Sequence, residues 1–222
     1  MTRLILVRHA ESVANRDRRA LGRGDSVLTG HGRQQARAVA DLLRGEGFCR
    51  VVSSPLQRAR RTAEAIAAPR GIVVQREEAL IELDIGAMEG LPYSEARERF
   101  PEVIAGWWGD AGADVRMPDG ESLSDVHARA WPFVEGLFRV PAPGPIVVVT
   151  HNWVIRAILC GALQHSLHEF RRFEVGLAAH TILTLRVGRW QLYRFNVSCG
   201  FPPTARRICL LRVEATPKQP TC

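Results

Sequence analysis

Residues 4–12 have the sequence Leu4-Ile5-Leu6-Val7-Arg8-His9-Ala10-Glu11-Ser12, and this stretch decides the fold. Its four apolar residues favour a fully buried strand, which a cation and an imidazole follow directly. Arginine offers a planar fork of donors suited to phosphate or carboxylate, and neutral histidine is a nucleophile near pH 7. The pair predicts phosphoryl chemistry if other segments bring matching groups to the same place; otherwise it is a surface pair at a strand end.

The same order of strand, basic side chain and helix recurs along the chain. A second strand is predicted over residues 49–53, followed by a helix with Ser54 as its N-cap, which places Arg58 near the positively polarised end of the helix. A further strand over residues 146–150 runs directly into His151 and another helix. Strands that alternate with helices predict an α/β fold with a doubly wound, mostly parallel sheet and helices on both faces.

Other local signals complete the predicted order of elements. Thr29 is a candidate N-cap, and Ser122 with Asp125 resembles a capping box, so a helix should follow each. Residues 177–187 and 190–195 are predicted as a closing pair of strands.

The chain is predicted to form a single domain over residues 1–196. Its 222 residues, 46% of them hydrophobic, suffice for one well-packed core. Glycine and proline are concentrated between residues 91 and 120 around one short helix, so we predict a small lid insertion at about 88–120, outside the core. Periodicity fades after Asn196, which predicts a partly disordered C-terminal tail over 197–222.

The charge favours small anionic partners over nucleic acid. The formal net charge is +7, and all of the 30 basic residues except Lys218 are arginines. They are spread along the chain, and no basic motif with interleaved aromatic residues accompanies them. We therefore expect a small phosphorylated substrate and no nucleic acid, and a homodimer is compatible with this composition.

Nothing in the sequence indicates a membrane or an oxidising compartment. No apolar run approaches the roughly 20 residues of a membrane span, and Met1-Thr2-Arg3 leads into the first strand and not into a cleavable signal. The five cysteines are scattered and form no Cys-x-x-Cys pair, which favours reduced thiols. We expect a cytoplasmic protein with no membrane contact.

The predicted topology brings four side chains to one crevice, because ligands of such sheets bind beyond the carboxyl ends of the strands. Arg8 and Arg58 would hold the oxygens of a tetrahedral phosphate and offset the charge that develops during transfer. We predict that His9 attacks phosphorus through a ring nitrogen to give a phosphohistidine. His151 would donate to a non-bridging oxygen.

The leaving alkoxide needs a proton, and Glu82 is the candidate donor. It ends the apolar run 79–81, where burial would raise its pKa, and Glu77 and Glu78 are the alternatives. The remaining histidines have neither His-x-x-x-His spacing nor the clustered carboxylates of a metal site. We therefore expect no metal and no cofactor.

Six motifs follow one another along the chain, at residues 6–12, 28–36, 53–59, 82–90, 120–123 and 149–151. In this order they resemble the histidine phosphatase superfamily, the phosphoglycerate mutase-like proteins, from about residue 3 to residue 195. The resemblance implies a Rossmann-like α/β fold, a phosphohistidine on His9 and Glu82 as proton donor. It also implies a phosphate pocket whose residues are Arg8, Arg58, His151 and, by position alone, Asn15 and Gly22.

Two departures from the family pattern bear on activity. Asn152 stands where many members have glycine, and the segment between Glu82 and His151 is shorter than that of the family's mutases, which favours a phosphatase. We predict a metal-independent, acid-type phosphomonoesterase that acts on a small phosphorylated metabolite. The alternatives are a mutase that returns the phosphoryl group to a second hydroxyl and, more distantly, a non-catalytic phosphate-binding module. Trp107 and Trp108 are expected to pack or to serve the lid, with substrate recognition as the alternative.

Overall fold

The computed structural model describes residues 2–139 and 143–198, which fold as an α/β structure with one mixed sheet. Its strands are β1 (Thr2–Arg8), β2 (Arg50–Ser53), β3 (Val74–Arg76), β4 (Ile146–Thr150), β5 (His180–Arg186) and β6 (Arg189–Val197). The α-helices in these ranges are α1 (Val13–Arg16), α2 (Gly30–Leu42), α3 (Gln57–Ala67), α4 (Tyr93–Arg99), α5 (Pro101–Trp108), α6 (Leu123–Gly136) and α7 (Asn152–Leu163). The predicted tail lies outside the described residues from residue 199 onward.

The six strands lie in the order β3-β2-β4-β1-β5-β6. Strands β3, β2, β4 and β1 are parallel to one another, whereas β5 is antiparallel to both β1 and β6. The predicted closing pair of strands is therefore confirmed, and it makes the sheet mixed. Because β1 lies between β4 and β5, its apolar run is paired on both edges.

Two hydrophobic cores cover the two faces of the sheet, and alternate residues of β1 belong to different cores. Leu4 and Leu6 lie in the first core with residues of α6 and α7, and Ile5 and Val7 lie in the second core with residues of α2 and α3. Successive side chains of a strand point to opposite faces. A continuous apolar run is therefore what a strand buried on both faces requires, and this explains why the run could be recognised.

The predicted caps have different outcomes. The Thr29 hydroxyl accepts from Gly32 N at 2.8 Å, and Ser122 forms the expected capping box with Asp125. The prediction for Ser54 is wrong, because α3 begins only at Gln57 and has no side-chain cap. The hydroxyl of Ser54 instead lies 2.7 Å from His151 Nε2.

The segment 88–120 contains two α-helices and a 3-10 helix (Gly112–Asp114), not the single short helix that the sequence predicted. The second, α5, begins at Pro101, whose missing N–H costs nothing in the first turn of a helix. Ala96, Trp107 and Met117 are buried in the first core. The segment was predicted to lie outside the core, and these residues show that it contributes to it.

No helix within residues 2–139 and 143–198 is long and apolar enough to cross a membrane. The two cysteines in these ranges are free thiols, with Cys49 exposed and Cys160 buried.

Candidate active site

The pairing of β1 with β4 brings two histidines together. These strands are parallel neighbours with Arg8 opposite Thr150, so the residues that follow, His9 and His151, leave the sheet side by side. His9 N donates to Thr150 O at 2.9 Å, and the ring centroids of His9 and His151 are 5.1 Å apart. Both imidazoles are buried. The two histidines thus meet where the topology predicted.

Two buried guanidinium groups flank the histidines. Arg58 lies in the first turn of α3 with 1% of its surface exposed, and it donates to the carbonyls of Gly22 at 2.6 Å and Gly24 at 2.8 Å. Arg8 donates from Nη1 to Val175 O at 2.7 Å. The Nε atoms of both arginines are buried and have no hydrogen-bond partner among the described residues. Burial lowers the pKa of both guanidinium groups, that of Arg58 to about 10, so Arg58 keeps its charge at neutral pH.

His9 has the protonation state of a nucleophile. Its Nδ1 lies 2.8 Å from Ala10 O, and because a carbonyl oxygen only accepts, the ring proton is on Nδ1. Burial, followed by the charges of Arg58 and Arg8, lowers the pKa of His9 well below 6.5. A neutral imidazole with its lone pair on Nε2 is the form that attacks an electrophile.

The tautomer of His151 follows from its neighbour Ser54. The Ser54 hydroxyl lies 2.7 Å from His151 Nε2 and can donate its proton to that nitrogen. The ring proton of His151 then lies on Nδ1, which is buried without a partner in the described part of the chain. Burial and the charge of Arg58 lower the pKa of His151, so the ring is a neutral donor.

Glu82 lies in the same cavity as the two arginines and His9. Its Oε1 accepts from Leu83 N at 2.9 Å. Burial raises the pKa of Glu82, and the Leu83 hydrogen bond and the two arginines only partly oppose this. The alternatives do not line the cavity: the Glu77 carboxylate accepts from Ala79 N, and Glu78 is exposed.

A salt bridge that sequence reasoning missed holds the Glu82 segment from behind. Arg129 on α6 donates to the carbonyls of Ala79 at 2.8 Å and Glu82 at 3.2 Å. It also pairs with Glu121 at 3.1 Å, and the same carboxylate accepts from Asp84 N at 3.1 Å. Residues 79–84 are therefore fixed at three backbone positions. The only sequence signal was the motif at 120–123, which gave Glu121 no role.

Asn15 and Gly22, which the family resemblance assigned to the phosphate pocket, differ in their position relative to the cavity. Asn15 lines the cavity, and its Oδ1 accepts from Ser12 N in the capping box of α1. Gly22 supports Arg58 through its carbonyl, and a Cβ on Gly22 would lie 2.5 Å from Leu83 O, so only glycine fits beside the Glu82 segment. The Gly22 amide donates to Glu89, and direct contact of Gly22 with a substrate stays a prediction.

The cavity has a volume of about 160 Å³. Its floor consists of Arg8, His9, Arg58 and Glu82, and much of its wall comes from residues 85–117. Asn152, at the start of α7, also lines it, and its Oδ1 accepts from Arg156 Nε at 3.2 Å. In the described ranges no group of three or more His, Cys, Asp or Glu side chains is arranged to hold a metal ion.

Known proteins are similar to this chain over the part that contains the sheet and the cavity. The family model of the histidine phosphatase superfamily (branch 1) matches residues 4–198. Phosphoserine phosphatase 1 of Hydrogenobacter thermophilus is 33% identical over 199 residues, which are 90% of this chain and 94% of that protein. A probable phosphoglycerate mutase GpmB of Yersinia pestis is 30% identical over 179 residues, 79% of this chain and 81% of that protein.

A solved structure of a mycobacterial glucosyl-3-phosphoglycerate phosphatase in complex with VO3 is similar to this fold. It has a TM-score of 0.83 and 31% sequence identity, and the match covers 88% of this chain and 99% of that one. The predicted family and enzyme class, a phosphatase of the histidine phosphatase kind, are confirmed. The chain belongs to the histidine phosphatase superfamily.

Proposed function

We propose that this protein hydrolyses the phosphomonoester of a small metabolite through a phosphohistidine on His9, without a metal ion. The observation that carries the proposal is a set of three buried polar atoms beside His9 that have no partner among the described residues, namely Arg8 Nε, Arg58 Nε and His151 Nδ1. A buried donor without an acceptor costs free energy, which a tetrahedral phosphate in their midst would offset.

In the first step His9 Nε2 attacks phosphorus, and the bond from phosphorus to the ester oxygen breaks. The bonding electrons leave with that oxygen, which takes the proton of the neutral Glu82 carboxyl group. Arg8 and Arg58 offset the charge on the equatorial oxygens, and His151 donates to one of them. The Ala10 carbonyl holds the Nδ1 proton while the ring of His9 becomes positive.

In the second step a water molecule replaces the alcohol. Glu82, now a carboxylate, takes one proton of the water as its oxygen attacks phosphorus, and the bond from phosphorus to His9 Nε2 breaks. Phosphate leaves, and both His9 and Glu82 return to their first protonation states. The same carboxyl group thus acts as acid and then as base, which its raised pKa permits near neutrality.

The same proposal includes the arrangement of the sheet, the domain bounds, two further binding residues and the cellular location. We infer a doubly wound, Rossmann-like arrangement in a single domain over residues 1–196, with the segment 88–120 as a lid. Asn15 on the cavity wall and Gly22 behind Arg58 are assigned to the substrate-binding set. The cysteine pattern supports a cytoplasmic location, and neither a homodimer nor a role with nucleic acid or a membrane is needed for the chemistry.

The similarity to a probable phosphoglycerate mutase supports a second candidate, transfer of the phosphoryl group to another hydroxyl. The two candidates share the first step and differ in what attacks the phosphohistidine. Product analysis therefore separates them. A non-catalytic module would need neither step, and the buried His9 and Glu82 argue against it.

The test is an assay of several phosphomonoesters with excess chelator, in the presence and absence of a hydroxylated acceptor such as glycerate. The proposal expects release of inorganic phosphate that chelator does not reduce. A phosphorylated acceptor as the main product would establish the mutase. Hydrolysis that depends on added magnesium would overturn the histidine mechanism.

A further inference from the structure

The cavity beyond the phosphate site has an apolar lining. Glu82 is the sole carboxylate among the described residues that line it, and Arg97, which is exposed, is the sole charged group above the floor. The wall there consists mainly of large apolar and aromatic side chains. They include Ile85, Met88, Ile104, Trp108, Met117 and Trp153.

This wall is held in place from outside the cavity. Trp107 packs edge-on against Trp153, with ring centroids 5.1 Å apart, and both rest on Phe170. Arg171 donates to the carbonyls of Trp107 at 2.6 Å and Gly109 at 2.9 Å, which ties down the end of α5. A wall fixed in this way loses little conformational entropy when a ligand packs against it.

The wall selects against polar alcohols. An ammonium group would find no carboxylate there except Glu82, which the reaction uses. Several sugar hydroxyls would lose water against tryptophan, isoleucine and methionine side chains, and an unpaired buried hydroxyl is costly. The neutral polar side chains of the lining above the floor are Asn15, Tyr93 and Asn152, and the Oδ1 atoms of the two asparagines already accept hydrogen bonds within the protein.

We propose, building on the phosphatase function, that the preferred substrate is a phosphomonoester of an alcohol that carries an apolar body of about one ring. The cavity of about 160 Å³ limits the apolar body to no more than about one ring, since the phosphoryl group shares this volume and a cavity on the order of 150 Å³ holds one benzene molecule. Burial of one ring should raise kcat/KM on the order of 10- to 100-fold over an alcohol without the ring.

The experiment compares kcat/KM for benzyl phosphate, ethyl phosphate, phosphoserine and glucose 6-phosphate, all esters of primary alcohols. The expected order places benzyl phosphate at least about tenfold above the other three. If phosphoserine or glucose 6-phosphate equals or exceeds benzyl phosphate while hydrolysis still requires His9, this inference is overturned and the phosphatase function stands. Hydrolysis that does not require His9 would instead overturn the phosphohistidine mechanism, and the absence of hydrolysis of all four esters would overturn the phosphatase function.

A pair of tryptophan variants locates the preference in the wall. Trp108→Ala should lower the ratio of kcat/KM for benzyl phosphate to that for ethyl phosphate by about tenfold, because the half-buried indole lines the cavity. Trp190→Ala is the control, since Trp190 packs on Phe138 beside a different groove, and its ratio should not change. An equal change of this ratio in both variants would contradict a role for this wall. If Trp108→Ala does not fold, the ratio of kcat/KM for benzyl phosphate to that for ethyl phosphate in the wild-type protein decides.

Discussion

The floor and the wall of the cavity are built in different ways. Arg8 ends β1 on the floor, and His9 and His151 directly follow the hydrogen-bonded parallel strands β1 and β4, so the strand register sets the spacing of these three groups. The wall comes largely from residues 85–117, where short helices are joined by turns and held by side-chain packing and by Arg171. Regular backbone pairing thus positions Arg8 and the two histidines, whereas the Glu82 segment depends on the hydrogen bonds of Arg129 and Glu121. Irregular segments, which tolerate change more readily, set the choice of alcohol.

The largest effect should come from removing the nucleophile on the floor. His9→Ala should lower kcat for every substrate by at least about 10⁴-fold, because no other group in the proposed mechanism accepts the phosphoryl group. Steady-state kinetics measure this, with circular dichroism as the check on folding. His165→Ala is the control, because His165 is exposed and pairs with Glu169, and it should keep full activity. Comparable activity in both variants would remove His9 from the mechanism.

Replacing the proton donor should give a loss that depends on the leaving group. Glu82→Gln should lower kcat/KM for benzyl phosphate by about 10²- to 10⁴-fold, and much less for 4-nitrophenyl phosphate, whose anion leaves without a proton. Equal losses for both substrates would show that Glu82 does not protonate the leaving group.

The pH dependence of kcat/KM should be bell-shaped, once the second pKa of the substrate, about 6, is divided out. His9 must be neutral, so activity falls on the acid side, below the usual 6.5 because the pKa of His9 is lowered. Glu82 must be protonated, so activity falls on the alkaline side, above the usual 4.5 because its pKa is raised. Glu82→Gln should abolish the alkaline limb and keep the acid limb. An alkaline limb that persists in this variant would show that a group other than Glu82 causes it.

Weakening the hydrogen bonds that hold the Glu82 segment should reduce kcat/KM less than Glu82→Gln does, with the same dependence on the leaving group. Arg129→Met removes the donors to Ala79 O and Glu82 O, so kcat/KM for benzyl phosphate should fall about tenfold, with a smaller loss for 4-nitrophenyl phosphate. Arg116→Met is the control, because Arg116 is exposed and pairs with Asp125. Equal losses on both substrates would indicate general structural damage.

The smallest effect concerns stability. Inorganic phosphate at 100 times its Kd should stabilise the fold by about 2.7 kcal/mol and raise Tm by roughly 5 to 10 °C, as scanning calorimetry would show. Arg58→Met should lose most of this shift, because a buried guanidinium is lost from the anion site. Arg61→Met, on the same helix but exposed and paired with Glu64, should keep it. An undiminished shift in Arg58→Met would place the anion elsewhere.

The sequence predicted the floor better than the wall for a physical reason. Continuous apolar runs mark buried strands, and parallel strands end at one edge, so Arg8, His9 and His151 could be placed together. Asn15 and Gly22 had no such signal and came only from family resemblance. Ser54 was misassigned as a helix cap because a hydroxyl that faces a distant histidine looks locally like a cap.

The wall and the support behind the floor depend on contacts that are distant in sequence. Arg129 reaches residues 47 and 50 positions away, and nothing in its neighbourhood separates it from the other arginines. Helix α5 was missed because glycine and proline were treated as breakers, although Pro101 begins the helix. Tertiary packing decides such segments, and local propensity does not.

The most direct test of the account is to trap the phosphoenzyme. A substrate with a ³²P-labelled phosphoryl group is mixed rapidly with the enzyme, one half of the sample is quenched in base and the other in acid, and the labelled peptides are mapped. The phosphohistidine mechanism predicts label on His9 that is stable in base and lost in acid, and that forms no more slowly than turnover. Turnover without label, or acid-stable label on the neighbouring Ser54, would contradict it.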